Sequence, residues 1–198
     1  MNSKSIGAII AFTALTTALN FVRIPVPYMP TFYYQMGDIV IVIAFLLFGM
    51  KTGVTVAVLN MLVTMAIFTG PGGFVGAPYY LVAVLTMVFG IYLFEKIIKP
   101  KIQTKRHAAT KSASLATVFG ILTRTLIMLP LDYAVYSFLV SLVSGLSIST
   151  AYGIVLASMP GIILYNITVP IYVIPTSYYI AKKAPKYYNS TLFQTSFM

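Results

Sequence analysis

The sequence predicts an all-α integral membrane protein, a bundle of six transmembrane helices with both termini in the cytoplasm. Three observations predict it. The 198 residues are 59% hydrophobic and only 8% charged, with a mean hydropathy of +0.92; a water-soluble domain carries about 25% charged residues. The apolar residues fall into six runs, and a helical crossing takes about 20 such residues. Finally, Lys4, Lys51, Lys96, Lys99, Lys101, Lys105, Arg106, Lys111, Lys182, Lys183 and Lys186 share one side if six spans alternate. They are eleven of the thirteen basic residues. Basic loops stay in the cytoplasm, whereas an odd number of spans would split the basic loop from the basic tail.

Each element follows in order. The first run is Ile6–Val22. It fits a signal peptide only loosely: no small-x-small site follows, and Arg23 with Pro25, Pro27 and Pro30 is a poor continuation. A Pro-rich and then Tyr-rich stretch reaches Gly37. The second run is Ile39–Met50, with Asp38 at its head. Its twelve residues span roughly 18 Å at ~1.5 Å each, short of a hydrocarbon core of about 30 Å. Either Tyr33–Asp38 extends this helix, or the Pro-rich loop dips into the membrane, or the helix is tilted beside a thinned bilayer. The third run is Thr52–Thr69, broken by Gly70-Pro-Gly-Gly-Phe-Val-Gly-Ala-Pro78. The fourth is Tyr79–Ile98, followed by the basic loop Lys99–Lys111. The fifth is Ser112–Leu131, then a mixed connection Asp132–Thr150. The sixth, Ala151–Ala181, is long and interrupted by Pro160, Pro170 and Pro175. No repeat and no second, soluble domain is visible.

Composition excludes much chemistry. There is no cysteine, one histidine and three acids, Asp38, Glu95 and Asp132. That inventory holds no thiol nucleophile, no disulfide and too few groups for a metal centre. Gly70-Pro-Gly-Gly lacks the Lys-Ser/Thr of a phosphate-binding loop, so the chain is expected to hydrolyse no ATP itself. The net charge of +10 sits in loops on one side and reads as topology rather than nucleic-acid binding. Binding or transport is therefore expected, with no cofactor and no metal. The alternatives are a stand-alone secondary transporter, for which Arg124 and Asp132 are the sole titratable pair, and an intramembrane enzyme.

Some residues stand out against this apolar background. Arg124 lies about twelve residues into the fifth run, where a charge costs at least ~2.5–3.5 kcal/mol. It must face the interior. Asp132 is eight residues on, near the same face. Asn60 and Asn166 are mid-span amides: Asn60 reads as a tie between helices, while Asn166, beside Tyr165 and between Pro160 and Pro170, suits a polar pocket wall equally well. Gln35, Met36 and Asp38 fall at the outer mouth. Tyr28, Tyr33, Tyr34, Tyr79, Tyr80, Tyr133, Tyr136, Tyr178 and Tyr179 fall at span boundaries, where a belt of tyrosines is expected; the outer ones also suit stacking on a flat ligand, with Phe74 in the neighbouring loop. His107 reads as solvated. Gly7, Ala11, Ala14 and Ala18 follow one another at steps of four, three and four, placing small residues on one face of the first helix. Such a face lets a second helix approach closely, inside the bundle or from a partner.

Taken together, the length, the six spans, the basic loop between the fourth and fifth helices and the alanine stripe resemble the S components of energy-coupling factor (ECF) vitamin transporters. Within that family Pro27-Tyr-Met-Pro-Thr-Phe-Tyr-Tyr-Gln-Met-Gly-Asp38, Gly70–Pro78, Asp132-Tyr-Ala-Val-Tyr136 and Met159-Pro160 are similar to stretches of the riboflavin-binding members. The resemblance implies a high-affinity binding subunit in the cell membrane, with riboflavin as transported ligand rather than cofactor. It implies a membrane coupling subunit and two ATPase subunits as partners, docked through Gly7, Ala11, Ala14 and Ala18. It places the ligand in an outer pocket of Gln35, Met36, Asp38, Phe74, Tyr79, Tyr80, Arg124, Asp132, Tyr133, Tyr165 and Asn166, capped by Ile24–Gly37. The riboflavin-binding members carry polar residues where this chain has Tyr79 and Tyr80, and Gly161 and Ile162. Arg124 suits pantothenate or another carboxylate-bearing vitamin.

Overall fold

The computed structural model describes residues 3–68, 74–101 and 108–184. Gly70 to Gly73 of the glycine-proline loop, and Lys105, Arg106, His107 and Lys186, lie outside the described residues. The chain folds as helices α1 (Ser3–Asn20), α2 (Gly37–Phe48), α3 (Met50–Ile67), α4 (Gly76–Leu93), α5 (Ala108–Leu131), α6 (Ser137–Ser144) and α7 (Ile148–Lys183). Strands β1 (Arg23–Val26) and β2 (Met29–Gln35) lie between α1 and α2. The turn Asp132–Tyr136 is a π-helix that joins α5 to α6 without a break. Lys111–Ser144 is thereby one 34-residue apolar rod, so six rods make the bundle among the described residues.

Four of these rods are long and apolar enough to cross a membrane: Met50–Ile67, Gly76–Ile98, Lys111–Ser144 and Ile148–Lys183. The other two, α1 and α2, are apolar but shorter. The predicted helical membrane bundle is thus the observed fold. Its departure from an all-α protein is the antiparallel hairpin β1–β2, which pairs Arg23 with Gln35, Ile24 with Tyr34 and Pro25 with Tyr33 before a register shift at Pro25/Val26. Pro25 sits on an edge strand, where its missing N–H costs no ladder bond.

The short second run has a simple explanation. Every residue from Gly37 to Leu47 except the half-buried Ile39 is buried, because α2 packs against α1, α3 and α7 in the middle of the bundle. A helix apolar on all sides belongs in an interior, so its twelve residues need not match the lipid. Tyr33–Asp38 does not extend it; the hairpin covers its end instead. Ile41, Val42 and Phe45 of α2 form the core with Val56 of α3, Val84, Met87 and Ile91 of α4 and Val169, Val173 and Ile174 of α7. Gly49, at φ 86°, turns the chain from α2 into α3 through a conformation that only glycine adopts freely.

Three other boundaries move. α4 begins at Gly76 rather than Tyr79, because Pro78 fits a first helical turn, where its N–H is not needed. The expected connection Asp132–Thr150 is mostly helix: Pro130 lies inside a continuous rod, and the chain reverses only at Gly145, φ 69°. α7 starts at Ile148, where the Ser147 hydroxyl accepts from the Thr150 N–H at 3.2 Å, and it runs unbroken through Pro160, Pro170 and Pro175. Asn60 ties α3 to α1 as expected, its Oδ1 accepting from Thr17 Oγ1 at 3.2 Å and Asn20 Nδ2 at 3.3 Å.

Candidate functional site: a capped polar cluster at the hairpin end

Arg124 and Met128 of α5 and Asp132 at the start of the π-turn recur every fourth residue and share one face. That face turns inward: Arg124 and Asp132 are each 2% exposed. The two charges do not pair directly. Asn166 of α7, itself buried, stands between them. Its Oδ1 accepts from Arg124 Nε at 3.1 Å, and its Nδ2 donates to Asp132 Oδ2 at 3.1 Å and to the Ile162 carbonyl at 3.2 Å. Arg124 Nη1 reaches the Ala83 carbonyl of α4 at 3.4 Å, and the Tyr165 ring lies 5.7 Å from the guanidinium carbon. Guanidinium carries five N–H donors; Nη2 donates to no described residue.

Two adjacent tyrosines of α4 address two acids. Tyr79 donates its hydroxyl to Asp132; Tyr80 donates to the buried Asp38 in the first turn of α2. A step of one residue turns a helix by about 100°, so neighbours face different partners. The Tyr79 ring also stacks on Tyr136, with centroids 5.9 Å apart and planes 29° from parallel. Beyond that pair lies a cavity of about 280 Å³, lined by Val75, Gly76 and Tyr79 of the α4 entrance and by Tyr136, Leu139, Val140, Val143 and Ser144.

The hairpin closes this end of the bundle. Tyr165, Thr168 and Tyr172 lie on one face of α7 at steps of three and four. Tyr165 donates to the Tyr33 carbonyl at 3.0 Å, and Tyr172 to the Gln35 carbonyl at 3.2 Å. The hydroxyls of Tyr28, Tyr34 and Thr168 form a triangle of hydrogen bonds at 2.9, 2.8 and 3.1 Å. Burial raises the Tyr28 hydroxyl pKa above its ordinary value. Val26 and Met29 pack on Val155 and Ile162 beneath.

Of the predicted site residues, Asp38, Tyr79, Tyr80, Arg124, Asp132, Tyr165 and Asn166 come together here. Gln35 and Met36 border them, Gln35 through its carbonyl and Met36 as the residue before α2. Phe74 and Tyr133 stand apart: Phe74 is 68% exposed, and Tyr133 faces Tyr152, centroids 5.2 Å apart. Thr168 and Tyr172 were missed by sequence reasoning, although their spacing from Tyr165 was the signal available. The third acid, Glu95, serves the opposite end, accepting from Lys99 Nζ and from the Tyr178 hydroxyl, both at 2.5 Å.

The fold and this cluster define a class of molecule: a helical membrane bundle that buries a polar site under a cap at one end. The same fold occurs in the crystal structure, at 2.1 Å, of the S-component for biotin from an ECF-type ABC transporter. The two chains are 19% identical, and the alignment covers 99% of this chain and 96% of that one with a TM-score of 0.53. No family model and no curated protein matches the sequence.

Proposed function

We propose that this chain is the substrate-binding S component of an ECF-type importer for a vitamin or similar micronutrient, with the capped cluster as its ligand site. The observation that carries the reading is the buried Arg124–Asn166–Asp132 cluster in a chain with the S-component fold. A charge there costs at least ~2.5–3.5 kcal/mol in the membrane, and an intramembrane ionisable residue with donors left over suits a polar ligand group. In this reading the hairpin end faces outward and both termini are cytoplasmic, in keeping with the basic residues at the other end. Gly7, Ala11, Ala14 and Ala18 lie exposed along α1, which supports their role as the docking face for the coupling subunit. Two ATPase subunits would complete the importer in the cell membrane.

The sequence likeness favours riboflavin as the ligand. A second reading is favoured by Arg124 itself. Its Nη2, which donates to no described residue, suits a carboxylate, an acceptor that guanidinium binds through parallel hydrogen bonds, and points to pantothenate, biotin or another acid-bearing vitamin. The test is direct binding by the detergent-purified chain: riboflavin by quenching of flavin fluorescence, pantothenate and biotin by calorimetry. One of them is expected to bind tightly. If it is a carboxylate, Arg124→Lys, which keeps the charge and loses the fork, weakens it by about 10–100-fold. Binding of none of the three, together with solute uptake by this chain alone in vesicles without ATPases, would overturn the S-component reading.

A further inference from the structure

Hydrogen bonds fasten the cap to one helix, and at its base the Arg23 guanidinium carbon lies 4.8 Å from the Phe68 ring centre at the end of α3. All the hydrogen bonds from the hairpin to helices run to Tyr165, Thr168 and Tyr172 of α7 among the described residues. Lower on the same helix, Met29 sits on Gly161. A Cβ placed at residue 161 would lie 3.9 Å from the Met29 Cβ. Towards α5 and α6 the hairpin makes apolar contact alone, led by the edge of the Phe32 ring on Tyr136 at 5.8 Å. Swinging it open would break the latch and strip Val26 and Met29 from their apolar seat.

The opposite side is built more loosely. The cavity of about 280 Å³ lies between the α4 entrance and α6, and no hairpin or α7 residue lines it. Its inner wall is the Tyr79–Tyr136 stack. Immediately behind stands Asp132, to which Tyr79 donates, and behind that Asn166 and Arg124. Tyr136 closes the π-turn Asp132–Tyr136. Such turns interrupt the regular hydrogen-bond ladder and often mark functional positions in helices. Turning the Tyr136 ring breaks the Tyr79 stack and the Phe32 edge contact, each worth about 0.5–1.5 kcal/mol, while lifting the hairpin breaks at least four hydrogen bonds.

We infer that the cavity is an antechamber, and that Tyr136, stacked on Tyr79, is the gate through which a small anion-bearing molecule reaches Arg124 while the hairpin stays fixed on α7. The inference rests on the proposed function in that a ligand must reach the cluster from this end. Two stacked tyrosines suit passage of a flat ring, and Nη2, which donates to no described residue, draws the anionic group inward.

The test uses a thiol reagent in place of a vitamin, so it reads the route whatever the ligand is; failure of the function reading would show only in the binding panel. The chain has no cysteine, so introduced thiols are unique. Met128, 1% exposed and one turn from both Arg124 and Asp132, is replaced by cysteine in the full chain. The anionic methanethiosulfonate ethylsulfonate is added to the purified protein, and modification is followed by mass spectrometry. Adding Tyr136→Ala is expected to speed modification by at least about tenfold, as removal of a gating ring should. Tyr136→Phe, which keeps the ring, should leave the rate at that of Met128→Cys alone. Locking the hairpin with a Met29→Cys/Gly161→Cys disulfide, for which the 3.9 Å Cβ separation is suitable, should leave the rate within about twofold. A lock that slows modification about tenfold would make the hairpin the gate, and an unchanged rate in Tyr136→Ala would remove Tyr136 from the route. No modification in any variant would equally overturn the proposal.

Discussion

Asn166 holds a cation and an anion apart while satisfying both. Its carbonyl oxygen accepts from Arg124 and its amino group donates to Asp132; only an amide side chain offers both functions in one plane. Replacing it with leucine keeps the bulk and strands two buried charges. Breaking a buried charge network of this kind costs about 3–5 kcal/mol. Asn166→Leu should therefore lower the thermal unfolding temperature of the detergent-solubilised protein clearly, and adding Asp132→Leu should recover part of the loss. Equal unfolding temperatures for Asn166→Leu and the parent chain would refute the bridge. Arg124 and Asp132 were legible in the sequence because a charge inside an apolar run has no ordinary explanation. Tyr79 and Tyr80 were legible as boundary tyrosines, but their division between two acids was not, since it depends on where α2 and α5 stand around α4. Thr168 and Tyr172 read as ordinary span residues, for their partners are backbone carbonyls and hydroxyls about 130 residues earlier.

At the scale of elements, close packing decides more than propensity. The α2 start is pressed against the α1 end. A Cβ on Gly37 would collide with the Asn20 side chain and come within 2.8 Å of the Thr16 carbonyl oxygen. Gly37→Ala must push α1 away from α2, and such overpacking costs typically about 1–3 kcal/mol. The expected result is a lower unfolding temperature and a displaced Asp38, read as weaker binding of whichever vitamin the panel identifies; an unchanged pair of values would mean that α1 yields freely. The hairpin was expected as a loop or helix extension because Pro25, Pro27 and Pro30 mask the strand signal. The alternation within Met29–Gln35 was there, yet prolines on an edge strand read as breakers in a sequence. The π-turn after Pro130 was hidden for a related reason: a proline followed by an acid reads as a helix end, and only the packing of Tyr136 against Tyr79 shows why the rod continues.

For the whole molecule, the runs of apolar residues made the architecture legible, because a bilayer imposes a length on any helix that crosses it. The proposed docking face belongs to this scale. Gly7, Ala11, Ala14 and Ala18 are exposed on α1, while its opposite side carries the buried Thr13 and Thr16. Ala14→Trp is therefore expected to abolish vitamin uptake and co-purification with the coupling subunit while leaving vitamin affinity within about threefold of the parent, since close helix contact needs small residues. Normal uptake by that variant would detach the stripe from docking.

The sheathing of α2 has a consequence for biosynthesis. This helix carries Asp38, is too short to cross a bilayer unaided, and leaves no face for lipid. Its cover comes from α1, α3 and α7, and α7 leaves the ribosome after the other two. Until α7 inserts, the centre of the bundle has an open flank, and the carbonyls of Gln35 and Ile39 lack the hydroxyls of Tyr172 and Ser177 that later bind them. The core is accordingly closed late: a nascent chain halted before residue 148 holds the future core as a surface, and the hairpin end waits on α7.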